Sequence, residues 1–407
     1  MIKSMRKMGN IRMKKNDAAT QQGSTMRKWL LLFIMAYTAF VFNTTEFIPI
    51  GLMTNIAADF GITEAHASLL ITVYAWFVAI MSLPLMLAVG RLNFRTVLLC
   101  VVAFFVVSHL LSAMATSFNQ LLLARLGAAT AHAIFWSIAS PLAVHIAPEG
   151  KRQTALSMLV TGISLAIIAG MPLGRIIGLH LSWRATFVCI GAAALLAFVL
   201  FAFLFPPVPN NQNASVKSVP QLFKTPVIKG LYIFTFIAVA AHYTGYSYIE
   251  PFMKQVVGMA DDMTTFTLIL FGLAGIGASV LFSRYFEGRR RLFLYIVAAG
   301  IALMLFLMRF TAADPYVFMA HCMVWGLIFT MFNLVVEFEV IRNAPQATTV
   351  AVAIFSSIFN IGIGCGAVIG GAAQSRLPLK DIGFVGGVIA ILSLLYVWRR
   401  LACRFNH

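Results

Sequence analysis

Twelve long apolar segments restrict the fold of this 407-residue chain more than any other feature. A helix that crosses the hydrocarbon core of a bilayer needs about 20 mainly apolar residues, and each segment has roughly that length. Hydrophobic residues make up 60% of the chain and charged residues 11%, which is far from the composition of a soluble protein. The sequence therefore predicts an all-α integral membrane protein. The predicted spans are 29–52, 65–89, 96–116, 119–147, 154–178, 184–206, 228–251, 264–285, 292–311, 316–341, 348–373 and 381–400.

Most of the 30 lysine and arginine residues lie in the loops on one side of these spans. Short basic clusters between apolar segments mark the cytoplasmic loops of membrane proteins. Because the number of spans is even, both ends of the chain are predicted to be cytoplasmic. The net charge of +17 is explained by this pattern, so no nucleic-acid partner is expected.

The longest polar interruption between spans is "PPVPNNQNASVKSVPQLFKTP", residues 206–226. Its Pro, Asn and Ser content is typical of a flexible linker, and it separates six spans from six. We predict a basic cytoplasmic tail (1–28), an N-terminal half (29–206), a cytoplasmic linker (207–227), a C-terminal half (228–400) and a second cytoplasmic tail (401–407). Residues 1 to about 25 are expected to be disordered, and Met26 is an alternative start of the chain.

A weak internal repeat supports two related halves. The first span ends with "TTEFIP" and the seventh with "YIEPF", so each carries a Glu followed by a Pro near its outer end. The sequence thus predicts two pseudo-symmetric six-helix halves.

An acidic residue, Glu46, lies inside the first span, in "FVFNTTEFIPIGL". It is about six residues, or roughly 9 Å of helix rise, below the outer end, and Arg125 of the fourth span lies at a similar depth. Ionisable residues within a membrane are costly and are functional by default. An ion pair between Glu46 and Arg125 is therefore possible. It would be either a fixed link between helices or part of a site where the carboxylate binds and releases a proton.

Two further residues share a stripe of the fourth span with Arg125. His132 and Trp136 follow it at steps of seven and four residues, which places all three on one helix face. His132 is either a packing histidine or a proton relay and hydrogen-bond partner, because histidine titrates near neutral pH. His109 and His321 are not part of such a stripe and are interpreted as packing residues.

The seventh span ends in "AHYTGYSYIEP", where Tyr243, Tyr246, Ser247 and Glu250 share a face and His242 lies one turn below Tyr246. Aromatic rings with hydroxyl groups suit a polyol, whose C–H faces stack on rings. The alternative is the aromatic belt of the outer interface, to which we assign Tyr248. Pro251 predicts a helix break at Glu250.

Three asparagines lie at depth in the spans, at positions where an amide needs a neighbouring helix or a ligand as partner. Two glutamates near a cytoplasmic end have a structural interpretation, in which Glu339 pairs with Arg342 three residues on. The asparagines are Asn43, Asn333 and Asn360, and the second glutamate is Glu337.

The sequence lacks the patterns of catalysis and of nucleotide binding. It contains neither a Walker loop nor a G-x-S-x-G elbow, and its five cysteines have no paired spacing that would indicate disulfides or a metal site. We therefore expect neither an enzyme nor a bound cofactor or metal.

Several motifs resemble one branch of a known transporter family. "FNTTEFIPIGL", the Arg125-containing "LLLARLGAATAHAIFWS" and "GMPLGRIIG" followed by "SWRATF" resemble the drug:proton antiporter branch of the major facilitator superfamily. "TVYAWFVAIMSLP", "HAIFWSIASPLA", "AHYTGYSYIEPF" and "FNIGIGCGAVIG" are similar to the bacterial sugar efflux transporters of the arabinose-exporting subgroup. One loop departs from the superfamily pattern, since "VGRLNFR" has no acidic residue.

The resemblance implies a monomeric transporter of the bacterial inner membrane that exports a small sugar or sugar derivative in exchange for protons. Two alternatives stay open, a drug or other small-molecule antiporter of the same branch and, with less support, a receptor that transports nothing. In the main hypothesis Glu46, Arg125 and His132 couple protons. The substrate residues would be Asn43, Trp136, His242, Tyr243, Tyr246, Glu250, Asn333 and Asn360.

Overall fold

The computed structural model describes residues 2–89, 92–206, 219–345 and 347–405. Within these residues, twelve helices are long and apolar enough to cross a membrane, which confirms the number predicted from the sequence. The N-terminal half contains α1 (Ile2–Gly51), α2 (Leu69–Val89), α3 (Phe94–Ala113), α4 (Phe118–Ile146), α5 (Arg152–Leu165, continued as Met171–His180) and α6 (Trp183–Leu204).

The C-terminal half repeats this arrangement of six membrane helices. They are α7 (Pro226–Tyr246), α8 (Asp261–Tyr285), α9 (Arg290–Thr311), α10 (Pro315–Asn343), α11 (Thr348–Gln374) and α12 (Ile382–Tyr396). Short helical segments flank the long ones: Met53–Phe60 and Glu64–Ala67 between α1 and α2, Val219–Lys224 before α7, and Ile249–Pro251 after it.

Polar side chains fix where several of the membrane helices begin. The hydroxyl of Ser117 accepts from the Gln120 N–H at the start of α4, and the carboxylate of Asp314 accepts from two N–H groups at the start of α10. The first N–H groups of a helix have no partner within it, and such caps satisfy them. The order of apolar runs and capping residues in the sequence therefore sets these boundaries.

Two segments differ from their predicted form. Helix α1 begins at Ile2, although residues 1 to about 25 were expected to be disordered; the stretch has no proline and many residues that favour helices, such as Met, Lys, Gln and Ala. The membrane-spanning part begins at Thr25. Most of the predicted linker, residues 207–218, lies outside the described residues, and its remainder contains the short helix Val219–Lys224.

The predicted break near Pro251 is present, but it comes earlier than expected. Helix α7 ends at Tyr246, and the chain continues through Ile249–Pro251 into a π-helical turn, Phe252–Val256. A second π-helical turn, Ala166–Gly170, interrupts α5 just before Pro172. Proline has no N–H to donate, which is one reason helices widen or bend at such points.

Each half has its own hydrophobic core. One cluster of buried side chains contains residues of the N-terminal half alone, whereas the other is built mainly from residues of the C-terminal half. The second cluster also includes N-half residues near the end of the molecule opposite the chain termini, among them Met53, Ala67 and Met171. The two halves therefore pack together through this opposite end.

A close contact between α5 and α8 lets the halves meet near Gly272. A methyl group on Gly272 would lie 2.8 Å from the Cα atom of Ile168, in the π-helical turn of α5. That distance is too short for a backbone atom that cannot rotate away, so only glycine fits.

We expect Gly272→Ala to destabilise this arrangement, because inserting a methyl group into a packed interface costs about 1–3 kcal/mol. Gly277→Ala is the matched control in the same helix, since a methyl group there would meet only Leu327 at an ordinary 3.7 Å. Thermal unfolding of both purified variants tests the prediction. Equal melting temperatures for the two variants would contradict it.

Candidate functional site

Glu46 of α1 faces α4 in the N-terminal half. Its Oε2 atom lies 3.7 Å from Nε2 of His132, and their side chains are 11% and 5% exposed. The Tyr74 ring packs edge-on against the His132 ring at 5.6 Å. The pair carries opposite charges only when His132 is protonated, so its attraction depends on where protons reside.

Arg125 lies fully buried beside this pair but bonds to a different residue. Its Nη1 atom donates to Thr45 Oγ1 at 2.9 Å, and its guanidinium carbon lies 4.4 Å from the centre of the Tyr74 ring. No ion pair joins Arg125 to Glu46 within the described residues, so the predicted pair is wrong in its partner. Thr45 and Glu46 are neighbours that point about 100° apart around the helix, and Arg125 reaches the side that Thr45 occupies.

His109 of α3 completes a hydrogen-bonded chain with Arg125. Because arginine can only donate, the Thr45 hydroxyl accepts from Arg125 and donates to His109 Nε2 at 2.7 Å. The Nδ1–H of His109 then donates to the Phe105 carbonyl at 2.8 Å. The sequence indicated a packing role for His109, whereas the structure places it in this network. No pattern within its own span indicated its place in the network.

We expect Thr45→Val to destabilise the protein more than a typical loss of a hydroxyl. Valine has a similar shape but would leave the buried Arg125 and His109 without this partner. A hydrogen bond to a charged group contributes about 1.5–3 kcal/mol.

Thr38→Val is the matched control for this prediction. Thr38 is equally buried in α1, and its hydroxyl donates only to the Ile34 carbonyl of its own helix, at 2.7 Å. Thermal unfolding of the two variants compares the losses. A drop for Thr45→Val no larger than that for Thr38→Val would contradict the role of the network.

His242 of α7 lies inside an aromatic cluster in the C-terminal half. Its ring stacks on Phe329 at 3.4 Å and on Tyr246 at 4.9 Å, and Trp325 packs edge-on at 5.3 Å. Tyr243 packs against the same ring at 5.0 Å. Both ring nitrogens of His242 are buried without a hydrogen-bond partner among the described residues. Such groups are rare in native proteins and call for an explanation, which a bound ligand would supply.

The polar group and the aromatic cluster belong to different halves, with Glu46 in α1 and Tyr243 in α7. That they form one central site stays a prediction.

A buried ion-pair network closes the interface at the end opposite the chain termini. Arg175 of α5 lies 3.0 Å from Glu250 Oε1 and 2.8 Å from Asp261 Oδ1, and both Arg175 and Glu250 are fully buried. Thr54 donates to Glu250 Oε2 through its N–H at 3.1 Å and its hydroxyl at 2.6 Å. These contacts cross from one half to the other.

Two predicted roles in this region change. Glu250 was predicted to bind substrate, but both of its carboxylate oxygens bond to the N-terminal half. Tyr248 was assigned to the aromatic belt, yet its ring is fully buried and its hydroxyl oxygen lies within hydrogen-bond distance of Ser68 Oγ at 2.7 Å and of the Ala367 carbonyl at 3.1 Å. The break after α7 turns this segment inward against the other half.

The structure also corrects the partner of Glu339. Its carboxylate pairs with Arg290 of α9, with Nε donating to Oε1 at 2.5 Å, rather than with Arg342 three residues on. Glu337 is partly buried. The structural interpretation of Glu339 holds with a different arginine.

The three asparagines differ in their bonding. The Asn43 amide donates to the Ala39 carbonyl of its own helix at 2.9 Å, and the Asn360 amide donates to Ser356 at 3.0 Å. The Asn360 side-chain oxygen is buried without a partner among the described residues. Asn333 is partly buried. Of the three, Asn360 has the clearest need for a ligand.

Comparison with known proteins identifies the family. A sequence model of the Major Facilitator Superfamily matches residues 31–349. The chain belongs to this superfamily.

Solved structures of superfamily transporters share the fold. Two structures of a bacterial homologue of the human lysosomal transporter Spinster are inward-facing, one occupied and one unoccupied. Each alignment covers 93% of this chain and 97% of the homologue's chain. The TM-scores are 0.70 and 0.71, and the sequence identities are 16% and 15%. Membership makes the protein a multi-pass membrane transporter that acts on a small molecule.

Trp136 is the remaining predicted site residue of this superfamily member. It is partly buried, and its ring lies 6.3 Å from that of His132. The candidate site thus contains Glu46, His132 and Trp136 from one half and the His242 cluster from the other. Phe329, Trp325 and Phe271 complete that cluster and were missed because aromatic residues are abundant throughout these spans.

Proposed function

We propose that this transporter exports a small sugar or sugar derivative from a bacterial cell in exchange for protons. The observation that carries the proposal is Glu46, a nearly buried carboxylate beside His132 that has no fixed ion pair with arginine. A carboxylate in that position can exist in neutral and charged forms as its surroundings change. That property is the minimum that proton coupling requires.

The coupling step uses residues of the N-terminal half. A proton on Glu46 removes the cost of a charge in the membrane, and its release restores attraction to a cation. His132 accepts or shares that proton at 3.7 Å. Arg125, held by Thr45, supplies a constant positive charge that favours release.

The substrate site lies between the halves in this proposal. The rings of Tyr243 and Tyr246 offer faces for the C–H groups of a sugar, and the free nitrogens of His242 offer hydrogen bonds to its hydroxyls. Asn360 supplies a further acceptor through its unpartnered oxygen.

Alternating access would follow from rocking of the halves. The network around Arg175 and Glu250 closes one end, which the distribution of basic residues assigns to the outside. Opening that end requires both Arg175 and Thr54 to release Glu250. Both chain termini then face the cytoplasm.

A second candidate is export of less polar organic molecules by the same antiport. The stacked surface of His242, Phe329, Tyr246 and Trp325 favours it, because flat apolar rings bind aromatic compounds as readily as sugars.

Accumulation in cells tests the proposed function. We expect a deletion strain to accumulate more labelled arabinose than the strain with the intact transporter, and Glu46→Gln to behave like the deletion. A lipophilic dye measured in the same strains separates the second candidate. Equal sugar accumulation in the intact and deletion strains would refute sugar export.

A further inference from the structure

A basic cavity lies between α7 and α12, at the end of the molecule that carries the chain termini. It has a volume of about 340 Å³, and none of its lining residues belongs to the candidate transport site. Its lining residues are Phe223, Lys224, Pro226, Lys229, Ile233, Tyr396 and Arg404.

The charge of this cavity is uncompensated by its own walls. Three of the seven lining residues are cations and none is acidic. Lys224 and Lys229 are exposed, and neither side chain has a hydrogen bond or ion pair within the described part of the chain. Arg404 donates to the Pro226 carbonyl and thereby holds the end of the chain against the start of α7. The cavity therefore combines one anchored cation with two that are available to a ligand.

Aromatic residues place the cavity at the level of the lipid headgroups. Phe223 in its wall is 46% exposed, and Trp398, two residues beyond the lining residue Tyr396, is 60% exposed. Exposed aromatic rings at the end of a membrane helix sit at the boundary between hydrocarbon and water. Arg399 and Arg400 follow directly and are exposed as well.

We propose that this cavity binds the phosphodiester headgroup of an anionic phospholipid. Basic pockets between membrane helices on the cytoplasmic side recognise such headgroups, and the Tyr396 hydroxyl, which lies close to Arg404 and Arg400, adds a donor. The lipid tails would run along the apolar surface of α12, where Leu395 and Leu392 are exposed. A free phosphate would share the cations but would leave that apolar surface and the aromatic wall unused.

Lipid binding by the full-length protein in an uncharged detergent tests the proposal. Native mass spectrometry would count bound dioctanoyl phosphatidylglycerol, with dioctanoyl phosphatidylcholine as the zwitterionic comparison. We expect Lys224→Gln/Lys229→Gln to weaken phosphatidylglycerol binding about tenfold, because each lysine adds electrostatic attraction to the anionic headgroup. The matched control, Arg284→Gln/Arg289→Gln, removes two exposed charges near the same end outside the cavity and should leave binding unchanged.

Three results of the binding experiment would overturn the proposal. Equal phosphatidylglycerol binding by the two double variants would place the lipid elsewhere. Displacement of the lipid by excess inorganic phosphate would show a site for free anions, and equal binding of phosphatidylcholine would show no selectivity for charge. If the lysine double variant melts earlier than the control, the single variants Lys224→Gln and Lys229→Gln are measured in its place.

Discussion

Replacing Glu46 with glutamine is expected to abolish transport driven by a pH gradient while leaving the fold intact. Glutamine matches the size of glutamate and can still bond to His132, 3.7 Å away in the native protein, but it cannot lose a proton. Gradient-driven export should therefore fall at least about tenfold, the range that loss of a proton-transfer group typically exceeds. Exchange of labelled for unlabelled substrate without a gradient should persist, because it needs no net proton movement.

Glu337→Gln is the matched control for this experiment. Glu337 is also a partly buried carboxylate in a membrane helix, but it lies near the end of α10 and outside the candidate site. Export by that variant should stay close to that of the native protein. Native gradient dependence in Glu46→Gln, or an equal loss in both variants, would contradict the role assigned to Glu46.

Arg175→Met should open the end of the molecule that the ion-pair network closes. The substitution leaves the fully buried Glu250 with only Lys254, 4.0 Å from its Oε1 atom, as a cationic partner, and breaking a buried pair from one side costs about 3–5 kcal/mol. Because the network joins the two halves, we expect the loss to shift the protein towards states in which this end is open.

Chemical labelling measures the opening. A cysteine introduced as Met53→Cys, in a background without the native cysteines, replaces a side chain that is 1% exposed at the closed end. A membrane-impermeant maleimide applied from outside should modify it faster in Arg175→Met than in the native sequence. The melting temperature should fall as well.

Arg184→Gln serves as the control for the network. Arg184 pairs with Asp59 at 2.6 Å in the same region, but their side chains are 35% and 40% exposed. Exposed pairs contribute about 0–1 kcal/mol, so this variant should leave the labelling rate nearly unchanged. Equal labelling rates in Arg175→Met and Arg184→Gln would show that the buried network does not hold this end closed.

The helices were predictable from the sequence, because each apolar run has to satisfy its backbone hydrogen bonds within itself. Depth along the helices was predictable too, since rise per residue is constant. Depth counting placed Glu46 and Arg125 at a similar level, and Arg125 bonds to Thr45, the residue before Glu46. Depth counting could not choose between Thr45 and Glu46 as the partner of Arg125, because that choice depends on how α1 and α4 are rotated about their axes.

Contacts between distant segments were the least predictable features. Glu339 bonds to Arg290, which is 49 residues away, and not to Arg342, which is nearer in the sequence. Glu250 bonds to Arg175 across the interface between the halves. Local spacing favours partners three or four residues apart, and it contains no information on which helices pack together. The roles of Glu250, Tyr248 and His109 all changed for this reason.

Transport in proteoliposomes tests whether sugar export is coupled to protons. Purified protein is reconstituted, the vesicles are loaded with labelled arabinose, and a pH gradient is imposed in either direction. We expect sugar efflux to accelerate when protons flow inward, to slow when the gradient is reversed, and to lose this response in Glu46→Gln. Efflux that is the same with and without the gradient would contradict proton-coupled sugar export.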